Sequence, residues 1–523
     1  MSFAPAPGLD AALPRPGRRR SGSLRWLVLA PVLAFIALAC WAVSSPVGSS
    51  PDEDFHLTSI WCAGGNQPGT CETTGNPARR VVPEALVESA CFAHKPSVSG
   101  ACQAGIDFDP SDTVVTDRGS FLHNYPPVFY ATMHVFVSSK IGLSVVIMRL
   151  VNALYFVGVA TLLWFLLPRR LKSTLVWQWV ITMVPLGLFL IPSVNPSSWA
   201  ITGIGASWIA LYGFFQSEGK KKLGLGVVYS LTTFLAAGAR GDAAIFEILT
   251  AAVVCFLAFR PKRRFAWEAV LPIVLAAVAL MFYLTSQQSG VITTGLPEDT
   301  AGGTVPLPAK PSALSILVNN LLNSPSLVIG VFGSWELGWL DTALPVVVWA
   351  FGSLVFAGVS FGALRSSDWR KIVSVAGVAL VVWLLPVYIL QRSLSIVGTQ
   401  VQARYILPLI VLLGGLLLLQ TGTRAWMLTG LQRTVVVGAL SVSQAVSLHY
   451  NFKRYVSGVG SGGGLDLDNK AQWWWGIPVG PMAIWVIGAI AFAVMLAIIA
   501  RELQQYDEVL PRRRKQEPLP NLT

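Results

Sequence analysis

Charge is scarce in this chain. Asp, Glu, Lys and Arg make up 12% of its 523 residues, about half of the roughly 25% that soluble domains carry. Phosphate-cradling motifs are missing as well. There is no Walker A loop and no dinucleotide-binding glycine fingerprint after a strand, so a cytosolic ATP or nucleotide-sugar site is not expected. The ten-residue alternation of an outer-membrane barrel is absent. No internal repeat is evident, which counts against a transporter built from inverted repeats. Lys and Arg outnumber Asp and Glu, 38 to 26. These cations punctuate apolar runs instead of sharing one face, so nucleic acid is not an expected partner.

What is abundant is apolar sequence. The chain is 53% hydrophobic with a mean hydropathy of +0.59, which indicates an all-α polytopic membrane protein. Twelve spans are expected: 26–43, 141–167, 174–191, 198–216, 223–239, 242–259, 266–285, 343–364, 371–390, 404–420, 430–449 and 479–500. The first run is longer than a signal-peptide core and is read as a retained anchor. Most Lys and Arg fall before the first span, near 169–172, 220–222, 260–264 and 365–371, at 424 and 433, and after 500. That bias places both termini in the cytoplasm and the 45–140 segment outside.

The expected organisation follows. Residues 1–23 are a disordered basic tail, 24–44 the first span, 45–140 a large extracytoplasmic loop, 141–500 the helical bundle, and 501–523 a second tail. Within the bundle, 286–342 and 450–478 are outside loops. Residues 312–331 are amphipathic enough to lie on the membrane, and 127–138 read as a short aromatic helix at the interface. Trp473, Trp474 and Trp475 fit an interfacial belt better than a sugar-stacking platform.

Of six cysteines, Cys40 and Cys255 sit in apolar runs and read as packing residues. Cys62, Cys71, Cys91 and Cys102 share the first outside loop. Their spacings include no close Cys-x-x-Cys pair, so two disulfides on the oxidising side are favoured over a zinc site. Three connectivities are open.

Chemistry is sought where polar residues crowd the outside ends of spans. Ser49–His56 holds Asp52, Glu53, Asp54 and His56 just beyond the first span. A carboxylate there can serve as base toward a lipid-linked substrate. The plainer reading is a helix start with Pro51 and Asp52 as first residue and cap. Asp52 and His56 are one helical turn apart and could orient an acceptor or bind a divalent cation; no metal is assigned. His123 and Tyr125 lie later in the loop. Asn195 sits in an outside turn. Arg240 and Asp242 form either a local ion pair or part of a binding site. Gln402, Arg404 and Tyr405 open the tenth expected span. A guanidinium matches phosphate oxygens, so Arg404, and after it Arg240 and Arg149, are candidates to hold a lipid phosphate.

Taken together, Pro51–Asp52–Glu53 with His56, Asn195–Pro196, Arg240–Gly241–Asp242, Gly338–Trp339–Leu340–Asp341 with Pro345, and Gln402–Ala403–Arg404–Tyr405 with Leu407–Pro408 resemble the bacterial membrane family named domain of unknown function 2142 (DUF2142). That family looks like a branch of the GT-C glycosyltransferases. The resemblance covers about residues 24–450. It implies a GT-C-like fold, a polyprenyl-phosphate sugar donor, a glycan or glycolipid acceptor, and an acidic base in the first outside loop, with Asp52 first and Glu53 second. Substrate contacts would then come from His56, His123, Tyr125, Asn195, Arg240, Asp242, Trp339, Asp341, Gln402, Arg404 and Tyr405. Asp54 stands where the family has a small residue. The expected function is an inverting, lipid-phosphate-dependent glycosyltransferase of a bacterial plasma membrane, acting outside. The alternatives are a flippase of lipid-linked saccharides, which calls for charge at mid-span, and a non-catalytic envelope-assembly scaffold.

Overall fold

A computed structural model describes residues 22–514 apart from 107, 109–111, 291–311, 399–400, 422–426 and 463, with side chains from 28 to 503. Residues 1–21, 515–523 and the Gly/Pro-rich 291–311 lie outside the described residues; 501–514, expected to belong to a tail, continue the last helix instead, since their Glu, Leu, Gln and Arg residues are good helix formers.

Helix α1 (Gly22–Ala42) runs into a buried loop and then α2 (Glu53–Cys62). A three-stranded antiparallel sheet follows, β1 (Glu72–Thr73), β2 (Arg80–Pro83) and β3 (Thr113–Thr116), in the order β1-β2-β3. Helix α3 (Ala85–Glu88) and α4 (Val128–His134) complete this unit. The sheet was not anticipated in an all-α chain; its strands are only two to four residues long, too short for a periodicity signal. The unit shares a core with the bundle. Leu57, Ile60, Trp61, Val82, Phe129 and Met133 pack with Ile141, Val145, Met148 and Trp199.

The bundle comprises α5 (Ile141–Leu166), α6 (Arg169–Thr182), α7 (Leu186–Leu190), α8 (Ser197–Phe215), α9 (Gly219–Ala237), α10 (Gly241–Ala258), α11 (Arg263–Thr285), α12 (Ala313–Asn323), α13 (Pro325–Ile329), α14 (Val346–Ala363), α15 (Trp369–Arg392), α16 (Ala403–Leu418), α17 (Gly430–Val456) and α18 (Pro481–Arg514). Among the described residues, eight helical stretches are long and apolar enough to cross a membrane: α5, α8, α10, α11, Ala313–Ser334, α14, α15 and Pro481–Leu503. Val28–Ala42 and α16 are apolar but shorter.

Twelve spans were expected, and the differences have local causes. The run 174–191 is broken between α6 and α7, where Pro185 cannot continue the hydrogen-bond ladder. Helices α9 and α17 stand at their expected places but fall outside the eight. The first begins with three lysines, and the second turns Ser443, Gln444, Ser447, Asn451 and Arg454 into the protein interior. The segment expected to lie on the membrane is part of Ala313–Ser334, long and apolar enough to cross.

Helix α8 is the axis of the bundle, wholly buried along its length. It can be so enclosed because its small residues admit close neighbours. A Cβ on Gly205 would fall 2.1 Å from the Trp179 ring, and one on Gly203 would fall 2.5 Å from Ala236 of α9.

Two disulfides select one of the three connectivities, Cys62–Cys71 and Cys91–Cys102. Cys40 is free and buried, and Cys255 is free and half-buried. Peptide mapping without reductant is expected to recover these two cross-links. Replacing Cys91 and Cys102 by serine should lower stability by about 2–3 kcal/mol, read as a lower thermal midpoint in detergent; a midpoint equal to that of the parent would contradict a structural bridge.

Candidate functional site

The site is built on the loop between α1 and α2. Ser44, Ser45, Ser49 and Ser50 are all buried, yet the segment has no regular structure to satisfy its carbonyls. Side chains from far along the chain do so instead. Arg149 of α5 donates to the carbonyls of Ala42 (2.9 Å), Ser45 (2.7 Å) and Pro46 (2.7 Å). Trp475 serves Val43, Gln103 serves Val47, Trp339 serves Gly48 and Tyr455 serves Ser49. Asn195 donates to Pro51 at 2.8 Å, and Arg404 to the same carbonyl at 3.3 Å. The loop is thereby fixed residue by residue, and it ends at Asp52.

Asp52 occupies the left-handed region, φ 58° and ψ 22°, a conformation that Asp tolerates better than most residues. It stands at the cap position of α2 as expected, but its side chain makes no cap hydrogen bond. The carboxylate instead receives Arg404 Nη2 at 2.6 Å and lies 3.8 Å from Arg118 Nη2. The next two acids face elsewhere, since successive helical residues point about 100° apart. Glu53 is enclosed, held by Arg149 at 3.1 Å and by the Ser50 amide at 2.9 Å. Asp54 receives both Nε and Nη2 of Arg118 at 2.8 Å. Each acid of the triplet therefore has its own arginine.

Around Asp52 stands a cationic and aromatic wall. Tyr405 carries Arg404 over its ring at 4.9 Å and Arg240 at 5.3 Å, and Arg240 also lies 5.8 Å from the Tyr125 ring. Arg240 is itself fixed by both oxygens of Asp242 (2.8 and 2.6 Å) and by Ser197; the local-pair reading thus describes it, with its guanidinium still facing the two rings. His56 is buried, bonds Tyr130 at 3.0 Å and meets Tyr125 edge-on. Beside Arg404 is a narrow cleft of about 20 Å³, lined by Leu186, Phe189, Leu190, Leu337 and Leu340 together with Glu336 and Gln402. The Nε of Arg404 is buried and makes no hydrogen bond.

Charge state follows from these neighbours. Burial opposes ionisation of Asp52, but the guanidiniums of Arg404 and Arg118 outweigh it and hold the pKa down at about 2. Burial, reinforced by Arg240, Arg404 and Arg118 against Asp52, pushes His56 down to about 3, so its ring is neutral. Burial raises Tyr125 to about 12 and Tyr130 well above its usual value. Neither tyrosine is a base at neutral pH.

Asp52, His56, Tyr125, Arg240, Asp242, Gln402, Arg404 and Tyr405 thus surround one place. Other expected site residues do not face it. Glu53 is fully enclosed and belongs to the frame, which removes the geometric support for it as a second base. Asn195 and Trp339 each hold a loop carbonyl. Asp341 forms a buried pair with Arg454 at 2.7 Å, and Arg454 also binds the carbonyls of Phe92 and Val98. His123 is exposed, its backbone carbonyl accepting the Gln287 amide. Among the described residues, no group of three or more His, Cys, Asp or Glu could hold a metal ion. Arg118 and Tyr130 received no role from sequence, since nothing local marks a residue 64 positions from its partner. Arg149 did carry a signal: a cation inside an apolar run needs a partner.

The architecture and this site define a polytopic helical membrane protein with an ion-paired polar pocket at one end of its bundle. A family described as "Predicted membrane protein (DUF2142)" matches residues 35–413, and the chain belongs to that family. Comparison with curated proteins and with solved structures finds no match.

Two substitutions should separate frame from pocket. Glu53→Gln leaves Arg149 buried without its counter-charge and is expected to cost about 3–5 kcal/mol, whereas Asp52→Asn, compatible with the left-handed backbone and altering a partly exposed carboxylate, should cost less and still fold. Thermal midpoints in detergent check both. His56 adds a pH dependence. Its folded pKa lies below its unfolded value, so the unfolded chain takes the proton first as pH drops below about 6.5. Stability should fall by roughly 1.4 kcal/mol per pH unit from there toward pH 3, and His56→Asn should flatten that slope.

Proposed function

We propose that this protein is an integral-membrane glycosyltransferase of a bacterial plasma membrane, moving a sugar from a polyprenyl-phosphate donor to a cell-envelope glycan on the extracytoplasmic side. The observation that carries the reading is the 2.6 Å contact between Asp52 and Arg404 at the mouth of a cleft with apolar walls. A base and a phosphate-binding cation are what such a transfer needs side by side.

In the proposed reaction the acceptor hydroxyl attacks the anomeric carbon as Asp52 takes its proton. The new C–O bond forms while the bond from that carbon to the phosphate oxygen breaks. The electron pair leaves with the lipid phosphate, and Arg404 stabilises the charge that develops there. A single displacement inverts the anomeric configuration. The leucines and Phe189 beside Arg404 are apolar partners for the first isoprene units once the narrow cleft widens, and Tyr125 and Tyr405 offer ring faces for a sugar.

The same contact sets an order of events. A carboxylate held at a pKa of about 2 is a weak base. A donor phosphate competes for Arg404, and as it draws the guanidinium away the carboxylate gains basicity. Asp52 is then competent chiefly when donor is present. Once the guanidinium turns outward, its Nε, buried and without a hydrogen-bond partner in the folded protein, becomes a further donor for a phosphate oxygen.

The two disulfides support the extracytoplasmic side for this pocket, since such bonds persist in oxidising compartments. One observation favours a transporter of lipid-linked saccharide instead. Glu247 is buried within α10, its carboxylate bonded to Ser207 at 2.8 Å and Thr233 at 3.1 Å, and ionisable groups at mid-span often mark a transport path.

Asp52→Asn, expressed and folded as the parent, is expected to lower sugar transfer from polyprenyl-phosphate donor by at least a hundredfold, consistent with loss of a general base. Arg404→Lys should weaken donor binding and turnover together. Transfer by Asp52→Asn at the parent rate would refute the base assignment. Reconstituted vesicles that move the lipid-linked sugar across the bilayer without forming a glycosidic bond would establish the transporter.

A further inference from the structure

A second polar cleft lies at the opposite end of α8. That helix starts at Ser197, beside Arg240, and its 19 residues carry the chain about 28 Å to Phe215. There a cleft of about 260 Å³ opens between the starts of α6, α9 and α11 and the ends of α8 and α10. The Phe215 and Phe265 rings stack at its floor, 5.2 Å apart. We propose that this cleft binds a phosphate-bearing anion, the headgroup of an anionic phospholipid at the membrane face remote from Asp52.

The charges lining the cleft do not balance. Its cations are Arg170, Arg260, Lys262 and Arg264, and its acids are Glu218 and Glu268. Both acids are engaged. Arg264 takes Glu218 and Glu268 at 2.8 Å each, and Lys222 takes Glu268 at 2.5 Å. Asp368, the nearby acid on the loop before α15, caps the Lys371 amide at 2.9 Å. Arg170, Arg260 and Lys262 have no carboxylate partner among the described residues. Three positive charges therefore face one concavity, and an anion with several oxygens would neutralise them.

Backbone reinforces the side chains. Helices α6, α9 and α11 all begin here, with no acidic residue in the first turn and no side chain capping the first amides. Basic residues at helix starts run against the helix dipole, and an anion in the cleft would relieve all three ends together. Residues that only fixed orientation across the membrane would need no common focus; these share a cavity. Guanidiniums match phosphate geometry, and basic recesses at the membrane surface attract anionic headgroups.

The test uses the full chain in detergent. Phosphatidylglycerol, phosphatidylcholine and inorganic pyrophosphate are titrated in turn, with bound ligand read by native mass spectrometry and stability by thermal midpoint. Phosphatidylglycerol is expected to bind and raise the midpoint, and phosphatidylcholine to do neither. A variant carrying Arg170→Gln, Arg260→Gln and Lys262→Gln should bind phosphatidylglycerol at least tenfold more weakly; all three side chains are exposed, so folding should persist. Pyrophosphate binding as tightly as the lipid, and lost in that variant, would keep the phosphate site and assign it a soluble source. Equal binding of both lipids, or equal binding by parent and variant, overturns the proposal.

Discussion

The structure depends on satisfying one buried loop. Residues 43–52 run through the protein interior without helix or strand, so their carbonyls must find donors elsewhere or destabilise the fold. The donors come from α5, α16, α17, the turn before α8, the 103 region, the 339 turn and the 475 region. Helices distant in sequence are thereby tied to a single short segment. Its geometry, and so the position of Asp52, is a consensus of this whole end of the bundle.

The Asp52–Glu53–Asp54 triplet shows what this achieves. Three adjacent acids in a low-dielectric setting would repel one another, and each is relieved by a different arginine. The middle acid is spent on holding the loop, the third on docking Arg118 from the sheet-bearing unit, and only the first keeps part of its carboxylate open, with 37% of its side chain exposed. Chemical identity does not distinguish these residues. Direction does, because a helix start turns consecutive side chains to different sides.

The two ends of α8 are electrostatic counterparts. At one end, opposite charges are matched in pairs around a pocket with an aromatic wall. At the other, cations exceed acids. A buried, small-residue helix links them, and its close packing leaves little freedom for the ends to move independently.

Composition and period alone determined the class: a helical membrane chain, the places of most of its helices, the break-prone and polar stretches, and a cysteine-bearing loop after the first helix. These follow from local quantities, apolar run length and spacing, that a sequence states directly. Tertiary structure decided the rest. It divided the acids among Arg404, Arg149 and Arg118 across separations of 352, 96 and 64 residues, chose the cysteine pairs, turned Trp339, Asp341 and Asn195 into supports, and opened the cleft beside Arg404. Contacts over such distances are set by how helices pack, and no pattern within a window of twenty residues encodes them.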